Sequence, residues 1–567
     1  MSRIWPKNMP PSLDIPAVGT DALLAGAARA YPDRVALLDG EESLTFAELH
    51  TAALRVAGGL RARGLQPGGV VALHMPNTYW YVVVYYGALC AGLAVAPLNP
   101  AQPAGALRAQ LADCGADAVF THPANGAVLA EADSETNRFC FHVPGTAAGP
   151  APANAVLPPG SVPLAELLAS APLEGYTVDP GLVAHLQLTG GTTGRSKAVR
   201  VLHRNLVANV LQTCCWRSAS LPGLDEWGGV RVTRIDDPAP RTVVPGEGCN
   251  IAIAPFFHGL GLVGHNANTL LGATAVITGG RFDADQFIRD IERHGVTHMS
   301  GSPAMYYGML RSPELARRDL SSVRMITSGA APIDTTALRG LRAAFPGASV
   351  TEGYGLSEAT MGLTMSPPGA EVETPVGSVG VPISDTEVEV RAEDGVTVRR
   401  RGGTGEIWAR GPQITDGYQD DPELTAGQFV DGWLRTGDMG YFDENGFLFL
   451  VGRAKDMLIY KGYNVYPQPL EELLCSHPAI AQASVVGRPH PESGEIPVGF
   501  VVLRPASAAA EAGRGREFLD EVMAHVAERV APYQKVRELH VVDALPLTPT
   551  GKILKTRLRQ LLRDDPR

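Results

Sequence analysis

Between Thr45 and Gly355 short apolar runs alternate with segments whose apolar residues recur at helical spacing, which predicts an α/β fold, doubly wound around parallel strands. Strands are expected at 70–75, 118–121, 183–189, 251–256, 273–278, 323–328 and 349–351. Thr45 and Glu48 form a capping box for a helix that sets Phe46, Leu49, Ala53, Val56 and Leu60 on one stripe. Further helices are expected after Asp283 and near Asp334. Residues 80–98 carry no charge and have the length of a membrane span, but Gly and Pro punctuate them and no basic flank follows. They predict a buried helix ending at Gly92 and a buried strand over 93–98.

Beyond Gly377 the pattern changes to short strands, at 388–391, 396–400, 405–410 and 447–451, parted by turn signals such as Asp394-Gly395 and Asn445-Gly446. This reads as an antiparallel, barrel-like segment. From Ala454 a small α+β unit follows, with helices near 470–475 and 517–530 and strands at 483–486 and 498–503. Residues 144–163 and 218–248 read as surface loops. The expected organisation is therefore a large N-terminal domain over 1–453, mainly α/β to residue 355 and barrel-like over 377–453, and a C-terminal α+β domain over 454–567.

Composition narrows the function. A chain of 567 residues is too long for a lone binding module, and a net charge of -11 without a basic tract argues against a nucleic-acid binder. The seven cysteines are scattered with no C-x-x-C pair, so neither a disulfide framework nor a zinc site is signalled, and a reducing cytoplasm fits best. The opening residues lack an apolar stretch, so no signal peptide is expected. Only seven lysines stand against forty-one arginines. Where lysine survives, its compact charge is the candidate reason.

Thr189-Gly190-Gly191-Thr192-Thr193-Gly194-Arg-Ser-Lys197 follows a strand and combines glycines, hydroxyls and one of those lysines, which suits a polyphosphate; it is not a Walker A loop, and a merely flexible loop is the plain alternative. His258-Gly259-Leu-Gly261-Leu262-Val-Gly264 contains a G-x-G-x-x-G after a strand, but the match is weak in a chain with 63 glycines, and close helix packing by small residues is the preferred reading over a dinucleotide site. Glu352-Gly353-Tyr354-Gly355-Leu-Ser357-Glu358 offers an aromatic face between glycines and a carboxylate for magnesium beside phosphates; a core tyrosine and a solvated glutamate would look the same. Asp438, Arg453 and Lys455 are individually ordinary, and Lys552 alone would pass for a solvated loop lysine.

Taken in order, TGGTTGRSK, PFFHG, SGAAP, EGYGLSE, GEIWARG, GWLRTGD, GRAKD, KGYNVYP and PTGK resemble the adenylate-forming superfamily of acyl-CoA synthetases, nonribosomal-peptide adenylation domains and firefly luciferase, over roughly residues 20–559. The resemblance implies two doubly wound sheets plus a distorted barrel, and a mobile C-terminal domain closing over the active site. It assigns Thr189 to Gly194 and Lys197 to ATP phosphates, Gly353 and Tyr354 to adenine, Asp438 and Arg453 to ribose and Glu358 to Mg²⁺, with Ser357 where threonine is usual. It places His258 at the acyl pocket, Gly329, Ala330 and Gly355 near the nucleotide and pocket floor, Lys455 at the hinge, Lys461-Gly462-Tyr463 along the pantetheine path and Lys552 as the catalytic lysine of adenylation. Ser196, Ala198, Leu547 and His490 depart from the common pattern.

The implied activity is ATP-dependent conversion of a carboxylic acid to acyl-AMP and transfer to CoA; the rival delivers the adenylate to a separate carrier protein or partner enzyme. The chain ends fifteen residues after Lys552, too few for a fused carrier domain. Around the presumed acyl pocket Gly259, Gly261, Leu262, Gly329, Ala330, Gly355 and Met361 are small or apolar, with no cation for a second carboxylate, which favours a bulky hydrophobic monocarboxylic acid. From other classes, a dehydrogenase and a non-catalytic nucleotide binder remain as alternatives.

Overall fold

The structure, a computed structural model, describes residues 4–133, 138–189, 197–235, 243–279, 282–329, 331, 333–504, 507, 515–547 and 552–564. Two large sheets with parallel centres carry the N-terminal domain. The seven-stranded sheet runs Val162–Pro163, Phe139–His142, Ala118–Thr121, Val70–His74, Ala94–Leu98, Val183–Thr189, Lys197–Leu202, and only its last pair is antiparallel. In the nine-stranded sheet, Ser349–Tyr354, Met325–Ser328, His298–Gly301, Cys249–Ala252, Thr274–Ile277 and Val35–Asp39 are parallel neighbours, and antiparallel strands close both edges.

The uncharged stretch 80–98 resolves into the helix Tyr79–Cys90, buried from Tyr81 onward, and the buried strand Ala94–Leu98. None of the described helices is long and apolar enough to cross a membrane. The Tyr79–Cys90 helix links the two sheets through a buried polar network. The Tyr85 hydroxyl lies 2.7 Å from His185 Nε2 on one sheet and accepts from Asn266 Nδ2 at 2.7 Å, and Tyr86 donates to Asn266 Oδ1 at 2.9 Å on the helix Gly259–Leu270 of the other. Each buried polar atom so paired avoids an unmet hydrogen bond and fixes the angle between the sheets. The capping box at Thr45 and Glu48 forms, and Asp283 and Asp334 cap the helices Ala284–His294 and Thr335–Ala344.

Two expectations are corrected. Residues 396–400 form no strand, and Val398 makes a single bridge to Arg391; Val396 and Val398 are exposed, with no sheet face to cover them. Within 218–248 the strands Ser220–Leu224 and Val230–Arg234 pair as a hairpin. Pro222 and Gly223 hide its alternation in the sequence. It is anchored where Gly26 of the helix Asp21–Ala30 meets Val230, so closely that a Cβ on Gly26 would stand 1.9 Å from the Val230 carbonyl oxygen.

The barrel-like segment is a five-stranded antiparallel sheet of Glu387–Arg391, Gly405–Arg410, Phe429–Val430, Trp433–Phe442 and Leu448–Arg453. The C-terminal sheet joins Leu458–Tyr460, Tyr463–Val465, Ile480–His490 and Gly494–Leu503, with Glu538–Val541 parallel to the last, over its own core of Leu470, Leu474, Val485, Val501, Phe518 and Val522.

Candidate active site

The hairpin Val183–Thr189 to Lys197–Leu202 sets Thr189 opposite Lys197, with Thr189 Oγ1 3.4 Å from the Lys197 carbonyl oxygen. Gly190, Gly191, Thr192, Thr193 and Gly194 lie outside the described residues, as does Ala330. Beside Lys197 the chain at 417–419 adds to the strand: Arg200 N–H donates to Gly417 and Gln419 N–H to Ala198, at 3.0 and 2.8 Å. This brings the Tyr418 ring to 5.6 Å from Lys197 Nζ. The Tyr418 hydroxyl donates to Glu358 Oε1 at 2.6 Å. Glu358 sits in the short turn Ser357–Ala359, and its carbonyl accepts from Thr415 N–H and Oγ1, both at 3.0 Å. The sequence reading missed Tyr418; its only signal is the preceding Gly417, whose φ of 124° and close approach to Thr425 permit the edge pairing.

A second group stands where the nine-stranded sheet meets the barrel. Tyr354, buried at the end of Ser349–Tyr354, donates to Asp438 Oδ2 at 2.8 Å, and Arg453 Nε meets Asp438 Oδ1 at 2.9 Å. Asp438 and Arg453 are cross-strand partners, so the sheet register makes the ion pair. Gly355 turns the chain so tightly that a Cβ there would stand 1.6 Å from the Met361 carbonyl oxygen, and Asn209 clamps the next turn by exchanging two 2.9 Å hydrogen bonds with the Gly362 backbone.

Lys552 comes from the C-terminal domain into this group. Its side chain keeps open surface yet is surrounded by protein, as befits a group inside a cleft. That enclosure pulls its pKa down from 10.5, Arg453 adds to the shift, and Asp438 and Glu358 oppose it. His258 completes the set. It caps the helix Gly259–Leu270, its Nδ1 accepting from Leu260 N–H at 3.3 Å, and burial followed by the Lys552 charge lowers its pKa to about 4, so the imidazole is neutral at pH 7. Gln187 Nε2 holds the preceding Phe257 carbonyl at 2.9 Å.

On the acyl side, Gly261 is a close-packing glycine, since a Cβ there would stand 2.2 Å from the Pro255 carbonyl oxygen, whereas Gly264 faces open space. Gly259 and Gly353 leave ordinary or slightly tight room, and Leu260 rather than Leu262 faces Gly329. Leu262 is enclosed in the main core, and Met361 packs at its margin.

Lys455 lies in the short turn Ala454–Asp456 between the last barrel strand and the C-terminal domain, where Arg559 holds Asp456 at 2.8 Å. Lys461 and Gly462, both at positive φ, form a two-residue hairpin turn between Tyr460 and Tyr463, and the exposed Tyr463 stacks on Tyr533 at 4.7 Å. The partners of this tip, the Ser493 carbonyl for Lys461 N–H and the Tyr533 ring for Tyr463, belong to the C-terminal domain.

Among the described residues no three His, Cys, Asp or Glu side chains gather as a metal cage. One carboxylate, Glu358, beside Lys197 and hydroxyl-bearing Thr189, is a donor set suited to magnesium that arrives on nucleotide phosphates and needs few protein ligands.

A large N-terminal domain of parallel sheets followed by a small C-terminal domain with a largely antiparallel sheet is the architecture of adenylate-forming enzymes. Residues 24–419 match the AMP-binding enzyme family and residues 469–552 the AMP-binding enzyme C-terminal domain, and the chain belongs to this family. It is 32% identical to 4-coumarate–CoA ligase 5 of Oryza sativa subsp. japonica, over 94% of this chain and 92% of the relative, and 32% identical to a long-chain-fatty-acid–CoA ligase of Bacillus subtilis (strain 168), over 98% and 96%. Among solved structures it resembles ATP-bound MatB from Rhodopseudomonas palustris (27% identity, TM-score 0.80, 96% of this chain and 99% of that one) and a benzoate CoA ligase from Burkholderia xenovorans LB400 (25%, 0.79, 95% and 99%). The protein is an AMP-forming acid–thiol ligase of a family that uses ATP, Mg²⁺ and CoA.

Proposed function

We propose that this ligase activates a carboxylic acid with an apolar body to acyl-AMP and then transfers the acyl group to CoA. What supports it most is that Lys552 of the C-terminal domain lies within electrostatic reach of Glu358, Asp438, Arg453 and His258 of the N-terminal domain. In the first half-reaction a carboxylate oxygen attacks the α-phosphorus of ATP and the bond to pyrophosphate breaks. Two anions must meet, so the work of the protein is charge neutralisation and placement. Lys552 offsets the charge on the acid and the α-phosphate, and Lys197 with the loop 189–194 holds the departing phosphates. Glu358 would hold magnesium, which supplies electrostatic neutralisation of the phosphates when bound. Asp438 offers its carboxylate to the ribose hydroxyls, oriented by Tyr354 and Arg453, and neutral His258 borders the acid without adding charge.

In the second half-reaction the CoA sulfur attacks the acyl carbon and AMP leaves. Since Lys552 is within electrostatic reach of Glu358 and Asp438 while the Lys461-Gly462-Tyr463 tip finds its partners within the C-terminal domain, we assign the present arrangement to adenylation and that tip to the pantetheine path after a domain rotation at Lys455. The test is ATP-dependent pyrophosphate release over a panel of acids, with and without CoA. Release and acyl-CoA together support the reading; release with no acyl-CoA shifts the acceptor to a carrier protein or partner enzyme; no release with any acid overturns it.

A further inference from the structure

The nine-stranded sheet also borders a chamber of mostly apolar lining, with a few polar side chains, that the adenylation chemistry leaves unused. Thr327 and Thr351 are register neighbours on parallel strands, two residues before Gly329 and Gly353 on the same face and so about 7 Å deeper. They line a cavity of about 530 Å³ whose facing wall includes Arg217, Trp216, Met365 and Ser366.

Arg217 enters from the last turn of the helix His203–Ser218. Its guanidinium makes no ion pair or hydrogen bond among the described residues; the charges and dipoles nearest it are the Cys214 thiol, the Tyr306 phenol and His298, which burial keeps neutral. Ser366 Oγ is buried without a partner, and so is Thr213 Oγ1, one turn before Arg217 on the same helix. Of the other charged residues bordering the cavity, Glu352 has Arg342 as its neighbouring cation, not Arg217. An arginine stays charged at any working pH, and an enclosed guanidinium without a counter-charge is unfavourable, whereas its planar fork matches a carboxylate in bidentate fashion.

We propose that Arg217 is a specificity residue that receives a second carboxylate at the far end of the acid, so that the preferred substrates are dicarboxylic acids with an apolar spacer. One carboxylate is activated at the Lys552 cleft, and the other, roughly 7–13 Å deeper by strand rise, meets Arg217 and the Thr327 and Thr351 hydroxyls. The proposal rests on the ligase reading above and replaces the expectation of a monocarboxylic acid. The sequence hid this cation because Arg217 belongs to none of the motifs of the site.

Matched acids test it: suberic against octanoic acid and 4-carboxycinnamic against cinnamic acid, scored by pyrophosphate release. The diacid of each pair should show kcat/KM at least tenfold higher. Arg217→Met should lower the diacid value thirtyfold or more, mainly through KM, and leave the monoacid value unchanged or raised, while Arg217→Lys keeps part of the preference. Thr351→Val, which leaves the helix untouched, should weaken the diacids alone by a smaller factor. Equal or better use of monoacids by the wild type, or equal losses on both acids in Arg217→Met and Thr351→Val, would overturn the proposal while leaving the ligase reading intact. No release with any acid would overturn that reading and this proposal with it.

Discussion

Tyr418 and Glu358, 60 residues apart, are joined by a 2.6 Å hydrogen bond that ties the connection between the barrel strands Gly405–Arg410 and Phe429–Val430 to the proposed magnesium carboxylate. Burial and the neighbouring Glu358 charge both raise the phenol pKa, so Tyr418 is a permanent donor and leaves Glu358 acceptor-only. The same ring lies beneath Lys197, so one side chain orients an acid and a base that are proposed to share the nucleotide phosphates.

Tyr418→Phe keeps the ring under Lys197 and deletes only the donor. A hydrogen bond to a charged group contributes about 1.5–3 kcal/mol. The expected outcome is a KM for ATP raised at least tenfold, with the melting temperature little changed. An unaltered KM would show that Glu358 is oriented without Tyr418.

Lys552→Ala removes the one cation that the C-terminal domain is proposed to bring to the reacting groups. By analogy with deleting an oxyanion donor, acyl-AMP formation should fall roughly 10²–10³-fold. Thioester formation from supplied acyl-adenylate should survive, because that step is proposed to use the other domain arrangement. Single-turnover measurements of the two half-reactions separate these outcomes, and equal damage to both would show that the lysine is not specific to one step.

The parallel strands and their helices were legible because each is an unbroken apolar run or a capped amphipathic stripe, as with Ala118–Thr121 and the helix opened by Thr45 and Glu48. Ser220–Leu224 was not, since Pro222 and Gly223 break its pattern while its pairing with Val230–Arg234 supplies the order. Residues 396–400 failed in the opposite sense: valine spacing suggests a strand, but no second layer covers it. Motifs marked Lys197, Glu358, Asp438 and Lys552, the side chains proposed above to meet the nucleotide and the acid. Tyr418 meets Glu358 and Lys197 only through contacts between segments distant in sequence, which no local spacing encodes.

Glu352 opens the motif that ends in Glu358, yet it is enclosed near Glu472, Asp334 and Arg342, and burial raises its pKa from 4.5 to about 8. Between those values the folded protein binds a proton that the unfolded chain has released, so stability is greatest below pH 4.5 as far as this group is concerned and is lost as pH rises toward 8, by on the order of 1 kcal/mol per pH unit. Glu352→Gln mimics the protonated state. Its melting temperature should exceed that of the wild type at pH 8, with the gap closing toward pH 5. A gap that is constant with pH would mean that Glu352 does not titrate in this range. Glu472, which burial also shifts upward and which faces Glu352 from the C-terminal helix Pro467–Cys475, should show a weaker version of the same trend as Glu472→Gln.

Lys455→Pro tests the rotation itself. In the present arrangement Lys455 occupies the middle of the turn Ala454–Asp456, where Met457 N–H closes the turn onto Ala454 and the Lys455 N–H donates to no carbonyl among the described residues. Proline fixes φ near about −65° and removes an N–H that this turn does not use, so the arrangement with Lys552 in the cleft tolerates it, at some cost to Ala454, which proline disfavours in helical geometry. A rotation of the C-terminal domain would have to change φ/ψ at this junction, and a fixed φ opposes that. Acyl-AMP formation should therefore persist within a fewfold of wild type while CoA transfer falls by two orders of magnitude or more, read by quench-flow of each half-reaction. Wild-type rates for both steps would place the hinge elsewhere, and loss of adenylation with CoA transfer intact would mean that the arrangement described is not the adenylating one.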